Sequence, residues 1–207
     1  MQCGVTTLDD QIATYRTLQL GPAFLRRMDS FTAEFESLAD QATRFTDAGQ
    51  DVTLVVPHPI AASDRVITRL TLSGQTASGI YDHNFEAGDV DRFRPVEPVP
   101  VDRPYLVVGF DAGAEFRGQP PANAIPVIRS RGRSPLTISE GLAVFLRDPA
   151  TLQPNHCWSL AGSSRGDRRV PALWISKKAP KLGWCFAGAP HDWLGVASIQ
   201  ERVLPES

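Results

Sequence analysis

The sequence predicts an α+β fold, in which N-terminal helices pack with a mixed or antiparallel sheet and a C-terminal antiparallel β-meander follows. Two observations support this class. Before residue 48, apolar residues recur every three or four positions, which is the period of an amphipathic helix. After residue 155, short β-prone runs are separated by Gly, Ser, Pro and Lys, a pattern typical of antiparallel strands. We expect a single domain over residues 1–207, with a helical part at 6–48, an α/β middle at 51–150 and the meander at 155–203.

The helical part contains two predicted helices. Thr6 or Thr7 can cap the first, whose first turn carries acidic residues and which ends at Gly21-Pro22. The second helix, at 22–47, has the clearest periodicity in the chain, with apolar residues at Phe24, Met28, Phe31, Phe35, Leu38, Ala42 and Phe45. This stripe predicts packing on the protein's own sheet, and a homodimer through the same helix is the alternative.

The middle part combines short strands and helices with a proline-rich connection. The apolar run Val52–Val56 predicts a buried strand that ends at Pro57-His58-Pro59. The expected elements that follow are a helix from Ser63 to Leu70, an extended connection at 71–103, a strand at Tyr105–Phe110, a returning strand from Glu115 to Arg117, a helix from Pro121 to Ile128, and a helix with a capping box at Thr137–Glu140.

Composition limits the function classes. The net charge of −2 argues against a dedicated nucleic-acid binder, so nucleic acid is an unlikely partner on this ground. The chain contains neither an apolar run of about 18 residues that could span a bilayer nor a basic-then-apolar leader, so we expect no membrane association and a cytoplasmic location. Three cysteines, Cys3, Cys157 and Cys185, are too few for a disulfide framework.

Charge and aromatic residues are unevenly distributed along the chain. Residues 153–207 contain all three lysines and all four tryptophans, although they make up only the last quarter. The residues that can carry chemistry therefore gather in the segment from His156 to Trp193.

Four stretches of the second half resemble a known family. They are 132–137 (GRSPLT), 166–177 (GDRRVPALWISK), 180–185 (PKLGWC) and 190–195 (PHDWLG). Together they resemble a family of actinobacterial conserved hypothetical proteins of unknown function, over roughly residues 104–200. The resemblance implies a bacterial, actinobacterial and cytoplasmic protein, and it implies no reaction, ligand or catalytic residue.

Two site types are weakened by their spacing. His156, Cys157, Cys185 and His191 are residue types that zinc prefers, but neighbours on a strand point to opposite faces, so His156 and Cys157 could not bind one ion. Ser164 lies in a G-x-S-x-G pattern, yet the residues after it predict a strand and not the helix that a nucleophile elbow requires. We therefore assign no metal ligands, with a Cys2His site of Cys157, Cys185, His191 and a water as the alternative, and the sequence leaves any cofactor unknown.

A reactive thiol is the candidate for catalysis. Strand alternation places Cys185 on the face opposite Leu182 and Trp184, beside Lys181, and nearby cations lower a thiol's pKa. His191 could act as its base, and Asp192 could orient that histidine. A cysteine buried under another layer is the alternative interpretation.

An anion site is the hypothesis that needs the fewest assumptions. Gly and Ser residues precede Arg165, Asp167, Arg168 and Arg169, and guanidinium groups suit carboxylate or phosphate. Lys181 and Trp184 would complete the ligand-binding set, with Trp184 as an aromatic wall. The sequence thus predicts a small-molecule enzyme or binding protein that holds an anionic ligand at the meander. The alternative is a nucleic-acid or protein interaction module that uses the basic, Trp-rich hairpin.

Overall fold

The computed structural model describes residues 6–86 and 88–206, in which helices and short strands alternate. The α-helices are α1 (Leu8–Thr17), α2 (Pro22–Asp29), α3 (Thr32–Asp47), α4 (Ser63–Ile67), α5 (Pro121–Ser130) and α6 (Ile138–Arg147). The strands are β1 (Val52–Val55), β2 (Ile80–Tyr81), β3 (Arg94–Pro95), β4 (Tyr105–Val108), β5 (Ser134–Pro135), β6 (Cys157–Ser159), β7 (Ser163–Ser164), β8 (Arg169–Ser176), β9 (Ala179–Phe186), β10 (Leu194–Val196), β11 (Ser198–Ile199) and β12 (Glu201–Val203). The α+β class is confirmed. Cys3 lies outside the described residues.

Two helices begin at complete capping boxes. In α1, the Thr7 hydroxyl accepts a hydrogen bond from the Asp10 N–H, and the Asp10 carboxylate accepts one from the Thr7 N–H. Thr137 and Glu140 make the same reciprocal pair at the start of α6. Each box satisfies N–H groups that a helix start otherwise leaves unpaired.

The helix predicted at 22–47 is divided into α2 and α3, which corrects the sequence-based expectation. At the break, the Ser30 and Thr32 hydroxyls donate to the carbonyls of Arg27 and Asp29, a local bond that competes with helix propagation. The apolar stripe nevertheless stays on one side across the break. Its members Met28 and Leu38 are fully buried in the chain's own core, so this stripe is not exposed for a second copy.

Two sheets organise the fold. β1 and β12 flank β4 in an antiparallel three-stranded sheet, and the five-stranded sheet has the order β10-β6-β8-β9-β2. Within the second sheet, β6, β8 and β9 pair antiparallel and form the expected meander, whereas β2 and β10 pair parallel at its edges. After Phe186 the chain returns to this sheet only as β10, because β11 pairs with β5 and β12 with β4.

The β8–β9 hairpin is the longest paired unit. Its register runs from Arg169 opposite Phe186 to Ser176 opposite Ala179, so Lys177 and Lys178 alone form the turn. Their φ angles of 52° and 61° are both in the left-handed region, as a two-residue type I′ turn requires. Gly or Asn usually occupies such positions, since a Cβ atom makes this conformation unfavourable.

One predicted strand does not form. Glu115–Arg117 does not return as a strand, because Gly113, with φ of 68°, leads into a 3-10 turn at Ala114–Phe116. Phe116 of that turn packs with Ala124 and Ile128 of α5 in a small apolar cluster. This cluster covers the face of the five-stranded sheet that carries Val170 and Val196, opposite the main core.

The described residues contain no helix that is both long and apolar enough to cross a membrane.

Candidate functional site

Arg165 is already neutralised by two carboxylates. Its guanidinium lies 2.9 Å from the Asp89 carboxylate and 3.1 Å from the Asp167 carboxylate. The Asp89 side chain is buried, and Arg165 is only 15% exposed. A buried charge requires such a partner, and releasing Arg165 to a ligand would leave Asp89 with only the more exposed Arg92, whose guanidinium is 3.2 Å away.

The next two arginines differ in their surroundings. The Arg169 guanidinium lies over the Trp184 ring, 4.7 Å from its centroid, and its Nε is 3.7 Å from the Asp167 carboxylate. Arg168 is exposed, and its side chain makes no ion pair within the described part of the chain. Arg168 is therefore the one member of the predicted arginine cluster whose charge is open to a ligand.

Lys181 does not extend this cluster, and Trp184 contacts it only through Arg169. The Lys181 ammonium is 2.7 Å from the Asp82 carboxylate and lies against the Trp174 ring. Burial by itself raises the pKa of Asp82, but the Lys181 ammonium and the Asn84 N–H outweigh burial and hold this pKa below its usual range. The Trp184 indole N–H donates to the Asn84 carbonyl at 3.3 Å.

Cys185 lies under a second layer of structure. Because it pairs with Val170, it shares the sheet face covered by α5, and it packs against the Phe116 cluster. Burial raises the pKa of the Cys185 thiol to about 11, so the thiol is protonated at neutral pH. The sequence predicted an open sheet face and a lowered pKa for the Cys185 thiol. The structure instead has a covered face and a raised thiol pKa.

His191 and Asp192 make their contacts with groups other than the Cys185 thiol. The His191 ring packs on Trp193, 5.2 Å between centroids, and Asp192 is exposed. Among the described residues, no hydrogen bond joins Cys185 to His191 or His191 to Asp192. Nor does any group of three or more His, Cys, Asp or Glu residues there have a geometry that could hold a metal ion.

A pocket beside the β3–β7 pair and the start of α6 is the feature that the sequence did not predict. It contains about 560 Å³ of empty space and is lined by the turn after β1, the start of α6, β3, β7 and residues 99–101. Its apolar wall includes Pro57, Val90, Phe93, Pro95, Val99, Val101, Tyr105 and Ile138, and its polar residues are His58, Ser63, Arg94, Thr137, Ser139 and Ser163. We call it the His58 pocket. No aspartate or glutamate lines it.

Hydroxyl groups give this pocket an excess of hydrogen-bond donors. The Ser163 oxygen accepts from the Ile138 N–H at 3.0 Å, and the Ser139 oxygen accepts from the His58 N–H at 3.0 Å. The Thr137 oxygen accepts from the Glu140 N–H at 3.3 Å. In the part of the chain that the structure describes, no group accepts the hydrogens of these three hydroxyls. Each can therefore donate to a ligand.

His58 is held on both sides of its ring. Nε2 is 2.6 Å from the Asp91 carboxylate, and Nδ1 accepts a hydrogen bond from the Ser63 N–H at 3.0 Å. Since an N–H can only donate to Nδ1, the hydrogen of the neutral ring lies on Nε2. The Ser63, His58 and Asp91 group thus resembles a hydrolytic triad in composition, but its histidine has no unoccupied nitrogen to act as a general base.

Arg94 supplies the cation of the pocket. It lies on β3, whose antiparallel pairing with β7 sets Arg94 opposite Ser164. Its side chain is exposed and makes no ion pair with the described residues. Arg165, which directly follows β7, is by contrast paired with Asp89 and Asp167.

A buried ionic network fixes the wall behind the pocket. The Glu140 carboxylate accepts hydrogen bonds from Arg202 Nε at 2.6 Å, from the Tyr105 hydroxyl at 3.2 Å and from the Thr137 N–H at 2.7 Å. Burial, reinforced by the Glu140 charge, raises the pKa of Tyr105 well above its usual value, which keeps the phenol a donor. The network ties the start of α6 to β4 and β12.

A comparison with protein families identifies the chain. The model of a family of unknown function, DUF5701, matches residues 18–205. The chain belongs to the DUF5701 family. The match extends well before residue 104, so the family relationship covers more of the chain than the segments that suggested a resemblance.

No curated protein and no solved structure matches this DUF5701 chain. The signals for its pocket are present in the sequence, as the turn Pro57-His58-Pro59 and the capping box at Thr137. The sequence does not show that the two are close together, because the hydrogen bond from the His58 N–H to the Ser139 hydroxyl joins residues that are 81 positions apart.

Proposed function

We propose that the protein binds a small organic anion with an apolar body in the His58 pocket. The observation that carries this proposal is the lining itself: one unpaired guanidinium and several unused hydroxyl donors among apolar side chains, without any carboxylate. Donors in excess favour an acceptor-rich ligand group, and the apolar side chains of the lining suit the rest of a small molecule. Catalysis is no part of the proposal.

The anionic ligand class is the one expected from the sequence, but the pocket is a better place for it than the arginine turn. At the turn, Arg165 and Arg169 contact Asp167, and an added anion would have to compete with that carboxylate. Arg94 faces no such competitor among the described residues.

We also propose a bacterial, actinobacterial and cytoplasmic protein, a proposal supported by the excess of arginine over lysine.

Two matched arginine variants test the location. Benzoate, octanoate and phenyl phosphate are titrated by calorimetry into the wild-type protein, Arg94→Gln and Arg168→Gln. A charge-assisted hydrogen bond contributes about 1.5–3 kcal/mol, so Arg94→Gln should weaken binding about tenfold or more. Arg168→Gln removes an equally exposed charge outside the pocket and should leave the affinity unchanged.

The same titrations can refute the proposal. If Arg168→Gln abolishes binding and Arg94→Gln does not, the arginine turn is the site. If none of the three probes binds to the wild-type protein, the pocket does not select apolar anions. Comparison of the carboxylates with phenyl phosphate identifies the preferred head group.

A further inference from the structure

An apolar groove runs along the tip of the β8–β9 hairpin, away from the His58 pocket. It contains about 860 Å³ of empty space between residues 72–75, residues 149–154 and the hairpin residues Ile175 and Lys178. Its apolar lining residues include Leu72, Pro149, Leu152 and Ile175. We call it the hairpin groove.

The groove has a basic end and no acidic wall. Lys178 lines it, and Lys177 adjoins Lys178 in the turn; both are exposed and neither makes an ion pair with a described residue. Lys181, by contrast, is paired with Asp82. No aspartate or glutamate lines the groove. The acid nearest to it in sequence, Asp148, is occupied in capping the turn at Pro149–Thr151. The complementary partner is therefore acidic.

The walls of the groove are fixed before any partner binds. The Asp148 carboxylate accepts from the Ala150 N–H at 2.9 Å, and the Gln153 amide donates to the Ala150 carbonyl at 3.0 Å. Leu152 is anchored in the core. On the other side, the two-residue turn holds Lys177 and Lys178 in one backbone conformation. A preformed surface loses little conformational entropy on binding.

The absence of aromatic rings distinguishes the possible partners. No Trp, Tyr, Phe or His lines the groove, whereas single-stranded nucleic acid is held by stacking of bases on such rings. The ring pair of half-buried Trp184 and exposed Phe186 lies near Arg169, at the opposite end of the hairpin. It is roughly 25 Å from the turn at about 3.3 Å per strand residue. The basic turn and those rings therefore do not form one surface.

From these contacts we propose that the hairpin groove docks an acidic peptide segment of a partner protein. Apolar side chains of the segment occupy the groove between Leu72 and Leu152, and its carboxylates contact Lys178 and Lys177. The proposal is independent of the ligand in the His58 pocket.

Fluorescence anisotropy with a synthetic probe tests the docking. The probe is a fluorescein-labelled heptapeptide, Leu-Ala-Leu-Gly-Asp-Asp-Glu, and its control has serine in place of both leucines at the same charge. We expect the wild-type protein to bind the probe at least tenfold more tightly than the serine control. Binding should weaken severalfold between 50 and 300 mM NaCl, because the lysine contacts are exposed.

Three variants locate the site. Lys178→Glu reverses the charge at the end of the groove, and Ala150→Trp fills the groove from an exposed position; each should weaken binding at least tenfold. Arg26→Glu makes the same charge change on α2, outside the groove, and should bind as the wild type does. Far-ultraviolet circular dichroism checks that each variant is folded, and a second filling variant, Gln153→Trp, replaces Ala150→Trp if that protein does not fold.

Three results would overturn the proposal. They are no binding of the probe, equal binding of the probe and the serine control, or unchanged binding by both Lys178→Glu and a folded filling variant. Tighter binding of a ten-nucleotide oligouridine that Lys178→Glu abolishes would assign the surface to nucleic acid instead.

Discussion

Removing the carboxylate of Glu140 should destabilise the protein more than any exposed ion pair does. Glu140 is fully buried and accepts hydrogen bonds from Arg202, Tyr105 and Thr137. Glu140→Ala removes the capping interaction, which contributes about 1 kcal/mol, and leaves the buried Tyr105 hydroxyl unpaired, at a cost of about 1–3 kcal/mol. Arg202 loses its main partner but keeps Glu97 at 3.4 Å and is 14% exposed, which reduces its share.

About 1 kcal/mol for the cap, about 2 kcal/mol for Tyr105 and about 1 kcal/mol for Arg202 give a loss of about 4 kcal/mol in the free energy of unfolding. For a chain of this length, each kcal/mol lowers Tm by about 2–4 °C, so Glu140→Ala should melt roughly 8–16 °C below the wild type. Urea unfolding followed by circular dichroism gives the free energy, and thermal unfolding gives Tm.

Glu115→Ala is the matched control. Glu115 is also paired with an arginine, Arg131, but both side chains are about half exposed, at 48% and 49%. An exposed pair contributes at most about 1 kcal/mol. If Glu140→Ala loses no more stability than Glu115→Ala, the buried network does not stabilise the pocket wall as we argue.

Three further predictions concern the hairpin and its neighbours. Asp82→Asn should lower the free energy of unfolding by about 2 kcal/mol at pH 7 by breaking the ion pair with Lys181. Because the folded-state pKa of Asp82 is depressed, the ion pair stabilises fully above the unfolded-state pKa of about 3.9. Urea midpoints of wild type and variant should therefore converge as the pH falls below that value, and a constant gap down to pH 2.5 would contradict the assignment. Cys185, with a pKa of about 11, should resist iodoacetamide at pH 7.5 in the folded protein and react in urea. Peptide mass mapping measures the labelling. Rapid labelling of the folded protein would make Cys185 a nucleophile candidate again. Replacing Lys177 by Asn and Lys178 by Gly should raise the free energy of unfolding by about 0.5–1 kcal/mol, since these residues suit the left-handed turn, and an unchanged urea midpoint would show that the lysines carry no strain.

Local signals in this sequence predict local structure well. The two capping boxes, the strand before Pro57 and the β8–β9 hairpin all follow from residues that are close in the chain, and each was predictable. The break between α2 and α3 was not, because the apolar period continues across it and only the hydroxyls of Ser30 and Thr32 reveal the interruption. The 3-10 turn at Ala114–Phe116 was missed since its residues are equally compatible with a strand.

The candidate site shows where local signals end. A sequence shows which residues are arginines, but whether an arginine can bind a ligand depends on which carboxylates already neutralise its charge. Arg165 has the more suggestive neighbours in sequence, yet its partner Asp89 is 76 residues away and buried, so that charge stabilises the fold. Arg94 lies in a proline-rich connection that suggests no site, yet it lines the same pocket as the unused hydroxyl donors Thr137, Ser139 and Ser163. The same reasoning separates Lys178 from Lys181, which are three residues apart: Asp82 neutralises only the second. Function at either surface therefore depends on the charges that the fold leaves uncompensated, and those charges can be identified only when the long-range partners are known.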